Sequence, residues 1–243
     1  MKKIILVLCT LLFTNLFAQK VITVYTYHKH APFITAYNSG LTYDAIEFLN
    51  TNANGKYFFK LKTVPRSRLN YILKPWINKQ CITSKECNKD WIILWVNQKW
   101  GFGKDSESNF LWTPLLDDSN VIVSSSESKI EYTSPTSLIG KSLIGVSGHK
   151  YVGIDDLVKE KKIKRINGVS EVENLYVIQA KRADATLLPY SAYKYYINTN
   201  KEFNKLYVAK TPHQKYMRNI MTNIKNKELY EFLNSLDFSS INK

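Results

Sequence analysis

The segment spanning residues 139–197 constrains the fold more than any other part of the chain. It combines the apolar strand pattern SLIGV, a helical pattern, a second short strand, a second helix and the apolar strand pattern ADATLL. Such alternation is typical of a parallel sheet that helices cover on both faces. Ser147, Gly148 and His149 follow the first strand, and we expect them where the helix starts. Open α/β sheets usually bind their ligands at such a point.

The rest of the chain extends this alternation. Strand patterns occur at five earlier places: residues 21–27, 57–64, 91–96, 112–116 and 119–125. Helical patterns follow the first two strands, and Pro75 is expected to interrupt the second helix. Two amphipathic helices are predicted near the C-terminus, lined by Met217, Ile220, Met221 and Ile224 and by Leu229, Phe232, Leu233 and Leu236. The sequence therefore predicts two α/β lobes joined by short crossings.

The first 18 residues have the pattern of a secretory signal peptide. Lys2 and Lys3 precede an apolar run at residues 4–13, and small and polar residues lead to Ala18. Because the run is shorter than the roughly 20 residues that span a bilayer, cleavage near Ala18 is favoured over a membrane anchor. The sequence therefore predicts export to the periplasm.

The charge of the chain is strongly basic. After removal of two signal-peptide lysines, 32 cationic residues face 20 acidic ones, which leaves +12. The lysines are spread along the chain, and an exported protein rarely meets nucleic acid. We therefore expect a solvated basic surface, a monomer and no nucleic-acid partner.

The two cysteines that remain after cleavage are Cys81 and Cys87. They lie close together in a polar loop, which favours a disulfide in an oxidising compartment. Half of a zinc site is the alternative, but no histidine lies near them at metal-ligand spacing. His28 and His30 also have no third ligand in the sequence. No metal and no cofactor are predicted.

Several features together resemble one family. They are the exported start, the early strand followed by Pro32 and Phe33, and the segments GKSLIGVSGHKY and KRADATLL. The chain resembles bacterial extracellular solute-binding proteins of the type II periplasmic fold, in the branch (family 3) related to amino-acid binders. The resemblance implies an α/β fold with two lobes, each a mostly parallel sheet flanked by helices, which two hinge crossings join. Lobe one would comprise residues 20–123 and 209–243, and lobe two residues 124–208.

The resemblance also implies which residues contact a ligand. From lobe one these are the groups after the first and third strands: Tyr27, His28, Phe33, Trp95 and Asn97. From lobe two they are the loop after its first strand and the residue after its last: Ser147, Gly148, His149, Lys150 and Tyr190. Alternation along the third strand places Trp91, Ile93 and Trp95 on one face. Aromatic rings and backbone amides suit a planar solute with an anionic end.

Two charged residues typical of amino-acid binders in this family are absent from their expected places. The segment QKWGFGKD after the third strand has no arginine, and Pro189 and Tyr190 stand where an acidic residue is usual. Arg66 and Arg68, in VPRSRLNYIL, are the candidates to replace the missing carboxylate clamp. Relatives with a Pro-x-x-Arg segment place its arginine towards the cleft, so the resemblance implies Arg68; a surface arginine at a helix start is the alternative. Asp184 is expected to fix the backbone of its strand. The sequence therefore favours a small anionic or aromatic solute over an ordinary α-amino acid.

Three functions follow from this interpretation. The leading one is a non-enzymatic binding protein that serves an inner-membrane ABC permease or a sensor. The second is an enzyme on the same fold, similar to the cyclic-acid dehydratases, in which His149 would be the base, with its pKa lowered at a helix start. The third is a protein with a vestigial cleft that binds a partner protein or a cell-wall glycan through its basic surface.

Overall fold

The structure is a computed structural model that describes residues 19–102 and 109–242, so the predicted signal peptide lies outside the described residues. The described chain forms nine strands: β1 Lys20–Thr26, β2 Tyr57–Thr63, β3 Trp91–Val96, β4 Phe110–Ser125, β5 Ser142–Val146, β6 Lys164–Gly168, β7 Ala185–Pro189, β8 Leu206–Val208 and β9 Gln214–Asn223. It also forms seven α-helices: α1 Leu41–Asn52, α2 Arg66–Ile77, α3 Gln80–Thr83, α4 Ile154–Lys159, α5 Glu171–Gln179, α6 Tyr190–Thr199 and α7 Lys227–Asn234. Within these residues, no helix is long and apolar enough to cross a membrane.

All nine strands form one mixed sheet, in the order β2-β1-β3-β9-β4-β7-β5-β6, with β8 also paired to β4. The groups β2-β1-β3 and β7-β5-β6 are parallel, as the alternating sequence predicts. Antiparallel β9 and β4 lie between the two groups. The predicted type II periplasmic fold, with two α/β halves and two crossing strands, is confirmed.

Strand β4 is one element of 16 residues where two shorter strands were predicted. Its early residue Leu115 belongs to the core around β1 and β3, whereas Val121 and Val123 belong to the core around β5 and β7. A strand this long spans roughly 50 Å. The middle of β4, at residues 117–120, therefore bridges the two halves.

The prediction of a helix at residues 217–224, the first of the two near the C-terminus, is wrong. Residues Gln214–Asn223 form β9, which pairs with β3 on one side and with β4 on the other. Since the strand is buried on both faces from Arg218 onwards, apolar residues need not alternate. The spacing of Met217, Ile220 and Met221 therefore imitates a helix. The final predicted helix is confirmed as α7.

Pro75 lies inside α2 and does not interrupt it. The proline removes one backbone hydrogen bond, but Leu69, Leu73 and Trp76 are almost fully buried and hold the helix against the sheet. The next turn carries the predicted disulfide, which joins Cys81 to Cys87 with a Cα–Cα distance of 5.5 Å.

Candidate functional site

The candidate site lies where β1 and β3 end beside the middle of β4 and β9. The loop after β1 carries His28, His30 and Phe33, and it folds back against the start of α1. Gly40 makes this return possible, because a Cβ at its φ of +110° would lie 2.8 Å from the carbonyl oxygens of Pro32 and Phe33. A residue with a side chain at this position would push the loop away from the site.

Aromatic rings pack closely on one another at this point. The ring centroids of His28 and Phe33 are 5.3 Å apart, and those of His28 and Trp100 are 6.0 Å apart. Phe33 is fully buried and His28 is 8% exposed. Among the described residues, Nε2 of His28 has no hydrogen-bond partner. A buried polar atom of this kind is normally satisfied, so this nitrogen is available to a bound molecule.

The protonation of His28 is strongly perturbed. Burial lowers its pKa well below 6.5, and the nearby Arg218, His30, Arg66 and His149 lower it further. The ring is therefore neutral near pH 7. A neutral imidazole offers one donor and one acceptor nitrogen.

A buried ion pair connects the two crossing strands beside these rings. Nε of Arg218 on β9 donates to Oδ2 of Asp118 on β4 over 2.7 Å, and both side chains are 1% exposed. Asp118 also accepts hydrogen bonds from the backbone amide and hydroxyl of Ser191, at 3.1 and 2.8 Å. Ser191 lies in the first turn of α6. The carboxylate therefore joins both crossing strands to a helix of the second half.

The loop from Ser147 to Lys150 is not a helix start, which corrects the prediction. The amide of His149 donates to the carbonyl of Val146 in a turn, and α4 begins only at Ile154. All four loop residues are exposed. Although the residue is exposed, neighbouring protein atoms partly desolvate the ring of His149, and this desolvation rather than a helix terminus is the main cause that lowers its pKa, while Glu171 opposes the effect. His30 also lowers this pKa, so the loop faces the exit of β1.

Arg165 on β6 supplies cationic groups near this loop. Its guanidinium lies 4.6 Å from the ring centroid of Tyr151, and Nη2 donates to the carbonyl of Val146 over 3.1 Å. Its Nε and Nη1 are buried and have no partner among the described residues. Guanidinium N–H groups without a partner can donate to a carboxylate.

Arg66, and not Arg68, lies against the aromatic residues of the candidate site. Arg66 donates to the Tyr27 hydroxyl over 3.0 Å and to the carbonyl of Trp100. The guanidinium of Arg68 is exposed and lies 5.1 Å from the ring centroid of the exposed Tyr71. The predicted carboxylate clamp at Arg68 is therefore misplaced, since the first turn of α2 directs that side chain to the outside.

Trp95 lies on the opposite face from Trp91 and Ile93, so the predicted shared face is wrong. The pairing of β3 with β9 is irregular between Ile93 and Val96, and Trp95 has a φ of +67°. Its ring packs on Phe33 with centroids 5.0 Å apart, and Nε1 donates to the Thr42 hydroxyl over 3.0 Å. Trp95 has no exposed surface, so it supports Phe33 from behind.

Of the other residues predicted to contact a ligand, Tyr27 and Asn97 lie at the candidate site and Tyr190 is exposed at the surface. Tyr27 is bound to Arg66, and the side chain of Asn97 donates to the carbonyl of Met217 over 2.7 Å. Tyr190 is 41% exposed and stacks on Tyr193. Asp184 accepts from the amide and hydroxyl of Ser142, as expected for its backbone role.

The sequence prediction missed four residues at or near the site: Asp118, Arg165, Glu171 and Arg218. Arg218 was missed because the sequence of β9 was interpreted as a helix. No local sequence pattern indicates a role for Asp118, Arg165 or Glu171. Within residues 19–102 and 109–242, no group of three or more potential metal ligands occurs.

The chain has two groups of parallel strands, which two long antiparallel strands join, and a polar and aromatic cluster lies at the junction. This arrangement is the two-lobed fold of the type II periplasmic binding proteins. The arginine-bound form of truncated ArgBP from T. maritima has this fold, with a TM-score of 0.58 and 17% identity over 88% of this chain and 93% of that chain.

Two other solved structures are similar. The L-cystine solute receptor of Neisseria gonorrhoeae, in its unliganded open conformation, has a TM-score of 0.60 and 16% identity over 91% of this chain and 87% of its own. The periplasmic VFT2 domain of Bordetella pertussis BvgS has a TM-score of 0.56 and 17% identity over 91% and 90%. No protein-family model and no curated protein sequence match this chain. Identity at this level establishes the fold and leaves the ligand open.

Proposed function

We propose that this protein is a periplasmic solute-binding protein that captures a small solute between two lobes. Lobe one comprises residues 20–123 and 209–243, and lobe two comprises residues 124–208. The unpaired, buried Nε2 of His28 among aromatic rings is the observation that carries this proposal. The solved structures with the same fold include an arginine-bound protein and a cystine receptor, which supports a binding role.

The chemistry of the site favours an anionic solute with a flat body. The partly exposed ring of Trp100 and the ring of His28 suit a planar group. Asp118 is neutralised by Arg218, whereas Arg165 forms no ion pair within the described residues and has two unpaired donors. The proposed solute is therefore a small carboxylate with an aromatic or other planar body. It would be delivered to an inner-membrane ABC permease or detected by a sensor.

The dehydratase-like alternative has less support. A general base needs an orienting partner within hydrogen-bond reach, and no described carboxylate forms a hydrogen bond with the ring of His149. Glu171 influences the pKa of that ring without bonding to it.

Ligand capture is testable on the purified mature protein. Native mass spectrometry reveals a co-purifying molecule, and a thermal-shift panel of amino acids, organic acids and aromatic carboxylates identifies the ligand class. A panel without any shift, together with protein free of small molecules, would count against solute capture.

Arg165→Gln and Arg68→Gln form a matched pair, since each removes one arginine charge. Because a charge-assisted hydrogen bond contributes about 1.5–3 kcal/mol, Arg165→Gln should weaken a carboxylate ligand roughly 10- to 100-fold. Arg68→Gln should leave its affinity unchanged. Equal losses in both variants would refute a specific contact to Arg165.

A further inference from the structure

The guanidinium of Arg218 lies inside a box of aromatic rings. Its Cζ is 4.6 Å from the ring centroid of Phe33 and 5.2 Å from those of Trp100 and Tyr216. Cations at such distances from ring faces are attracted by the ring quadrupole, most strongly where water is excluded. The arginine is 1% exposed, so water is largely excluded here.

Oxygen acceptors complete the surroundings of this cation. Asp118 accepts from Nε over 2.7 Å, the carbonyl of Trp95 from Nη1 over 3.3 Å and the hydroxyl of Tyr216 from Nη2 over 3.2 Å. Ring faces, a carboxylate and neutral oxygens are the groups that recognise a guanidinium or ammonium ligand. The same groups here hold a side chain of the protein itself.

The position of this box makes it part of the solute cleft. Arg218 pairs with Leu116 in the crossing strands, and it lies close enough to His28 to lower the pKa of that ring. Phe33 contacts both His28 and the guanidinium, so one ring borders both groups. Trp100 also borders the guanidinium and is partly exposed, so a solute that packs on Trp100 would lie next to Arg218, where a cationic group could otherwise bind.

We propose that Arg218 is a built-in occupant of a cation subsite and thereby excludes solutes that carry a guanidinium or ammonium group there. This inference rests on the proposed function, because it assumes that the cleft is the binding site. It assigns Arg218 a role in specificity. In this chain, one of its own side chains therefore fills the position that a cationic solute would need.

Removal of the arginine should leave a usable cation site. Without Arg218, Asp118 still accepts from the amides of Ser119 and Ser191 and from the Ser191 hydroxyl. These three hydrogen bonds keep the carboxylate in place and reduce the cost of leaving it buried. The rings of Phe33 and Trp100 need not move. In Arg218→Ala, the empty volume therefore faces an ordered carboxylate.

Methylguanidinium chloride is the probe, at concentrations up to 20 mM and with equal sodium chloride as the ionic control. Isothermal calorimetry and thermal shift should detect binding to Arg218→Ala, with a dissociation constant of about 1 mM. The wild type and the double variant Asp118→Asn/Arg218→Ala should show no binding, because the first is filled and the second lacks the carboxylate. Equal responses of the single and double variants, or no response of the single variant, would overturn the proposal.

Two further measurements keep the outcome decisive. If Arg218→Ala does not accumulate, it is refolded with and without methylguanidinium beside the double variant. Recovery only with the cation supports the proposal, and failure in both conditions while the double variant folds refutes it. The solute panel on the wild type is a separate readout. A wild type that binds no solute removes the proposed function, and cation binding by Arg218→Ala would still establish the subsite.

Discussion

Asp118→Asn tests the central ion pair most directly. The substitution keeps the size of the side chain and an oxygen for the amides of Ser119 and Ser191. It removes the negative charge that lies 2.7 Å from Nε of Arg218. Since both partners are 1% exposed, water cannot replace the lost carboxylate.

The expected loss follows from this burial. Breaking a buried ion pair at one partner typically costs about 3–5 kcal/mol, because the other charge stays buried without compensation. Arg218 keeps its bonds to the Trp95 carbonyl and the Tyr216 hydroxyl, so the lower end, about 3 kcal/mol, is expected. With a urea m-value of about 2–3 kcal/mol/M, the unfolding midpoint should fall by roughly 1–1.5 M.

Urea unfolding at pH 7.5, followed by tryptophan fluorescence, measures this loss. Glu228→Gln is the control, because it breaks the exposed Lys56–Glu228 pair, and it should behave like the wild type. The double variant Asp118→Asn/Arg218→Gln has no unpaired buried charge and should be at least as stable as Asp118→Asn. A loss below about 1 kcal/mol for Asp118→Asn would refute the reasoning that this pair is desolvated.

Three further outcomes are expected. Replacing Cys81 and Cys87 by alanine should lower the free energy of unfolding by about 2 kcal/mol, measured by urea titration, because the disulfide closes a short loop. Burial lowers the pKa of His28 in the folded state, so below about pH 6.5 the unfolded chain binds more protons, and the free energy of unfolding should decrease by up to about 1.4 kcal/mol for each unit by which the pH is lowered. Melting curves from pH 7.5 to 5 should show a weaker pH dependence for His28→Gln than for the wild type. An unchanged dependence would contradict this assignment. Gly168→Ala places a Cβ 1.8 Å from Oδ1 of Asn174 and should cost about 1–3 kcal/mol, part of which Asn174→Ala should restore in the double variant.

The fold was largely predictable because most elements have a clear hydrophobic period. The parallel strands β1, β2, β5 and β6 are short segments, each followed by a helix, and this order indicates an α/β sheet. The strands that join the two halves were harder to assign. β4 contains Pro114, Asp117 and Asp118 within one strand, and β9 is buried on both faces, so neither alternates. Their conformation is set by the neighbouring strands and not by local pattern.

The site was predictable only where it follows a strand that the sequence identifies. His28 and Phe33 lie in the loop after β1 and belong to the aromatic cluster, while their contact with a ligand stays a prediction. Arg68 was chosen over Arg66 because it matches the Pro-x-x-Arg pattern of the family, whereas the structure places Arg66 beside Tyr27 and leaves Arg68 exposed. Asp118 and Arg218 are 100 residues apart and meet only because β4 and β9 pair.

The pairing of β4 with β9 brings a cation and an acid together at the junction, although the sequence lacks the usual charged residues of amino-acid binders at their expected places. Each of these two charges neutralises the other. The centre of the proposed cleft therefore offers aromatic surface and the free nitrogen of His28, whereas unpaired positive charge lies at Arg165 on lobe two. A solute that satisfies both would place its planar body against Trp100 and His28 and its carboxylate towards Arg165. In that orientation, lobe closure brings the anion to its partner, so Arg165→Gln should reduce closure as well as affinity, and small-angle scattering with and without ligand measures the difference.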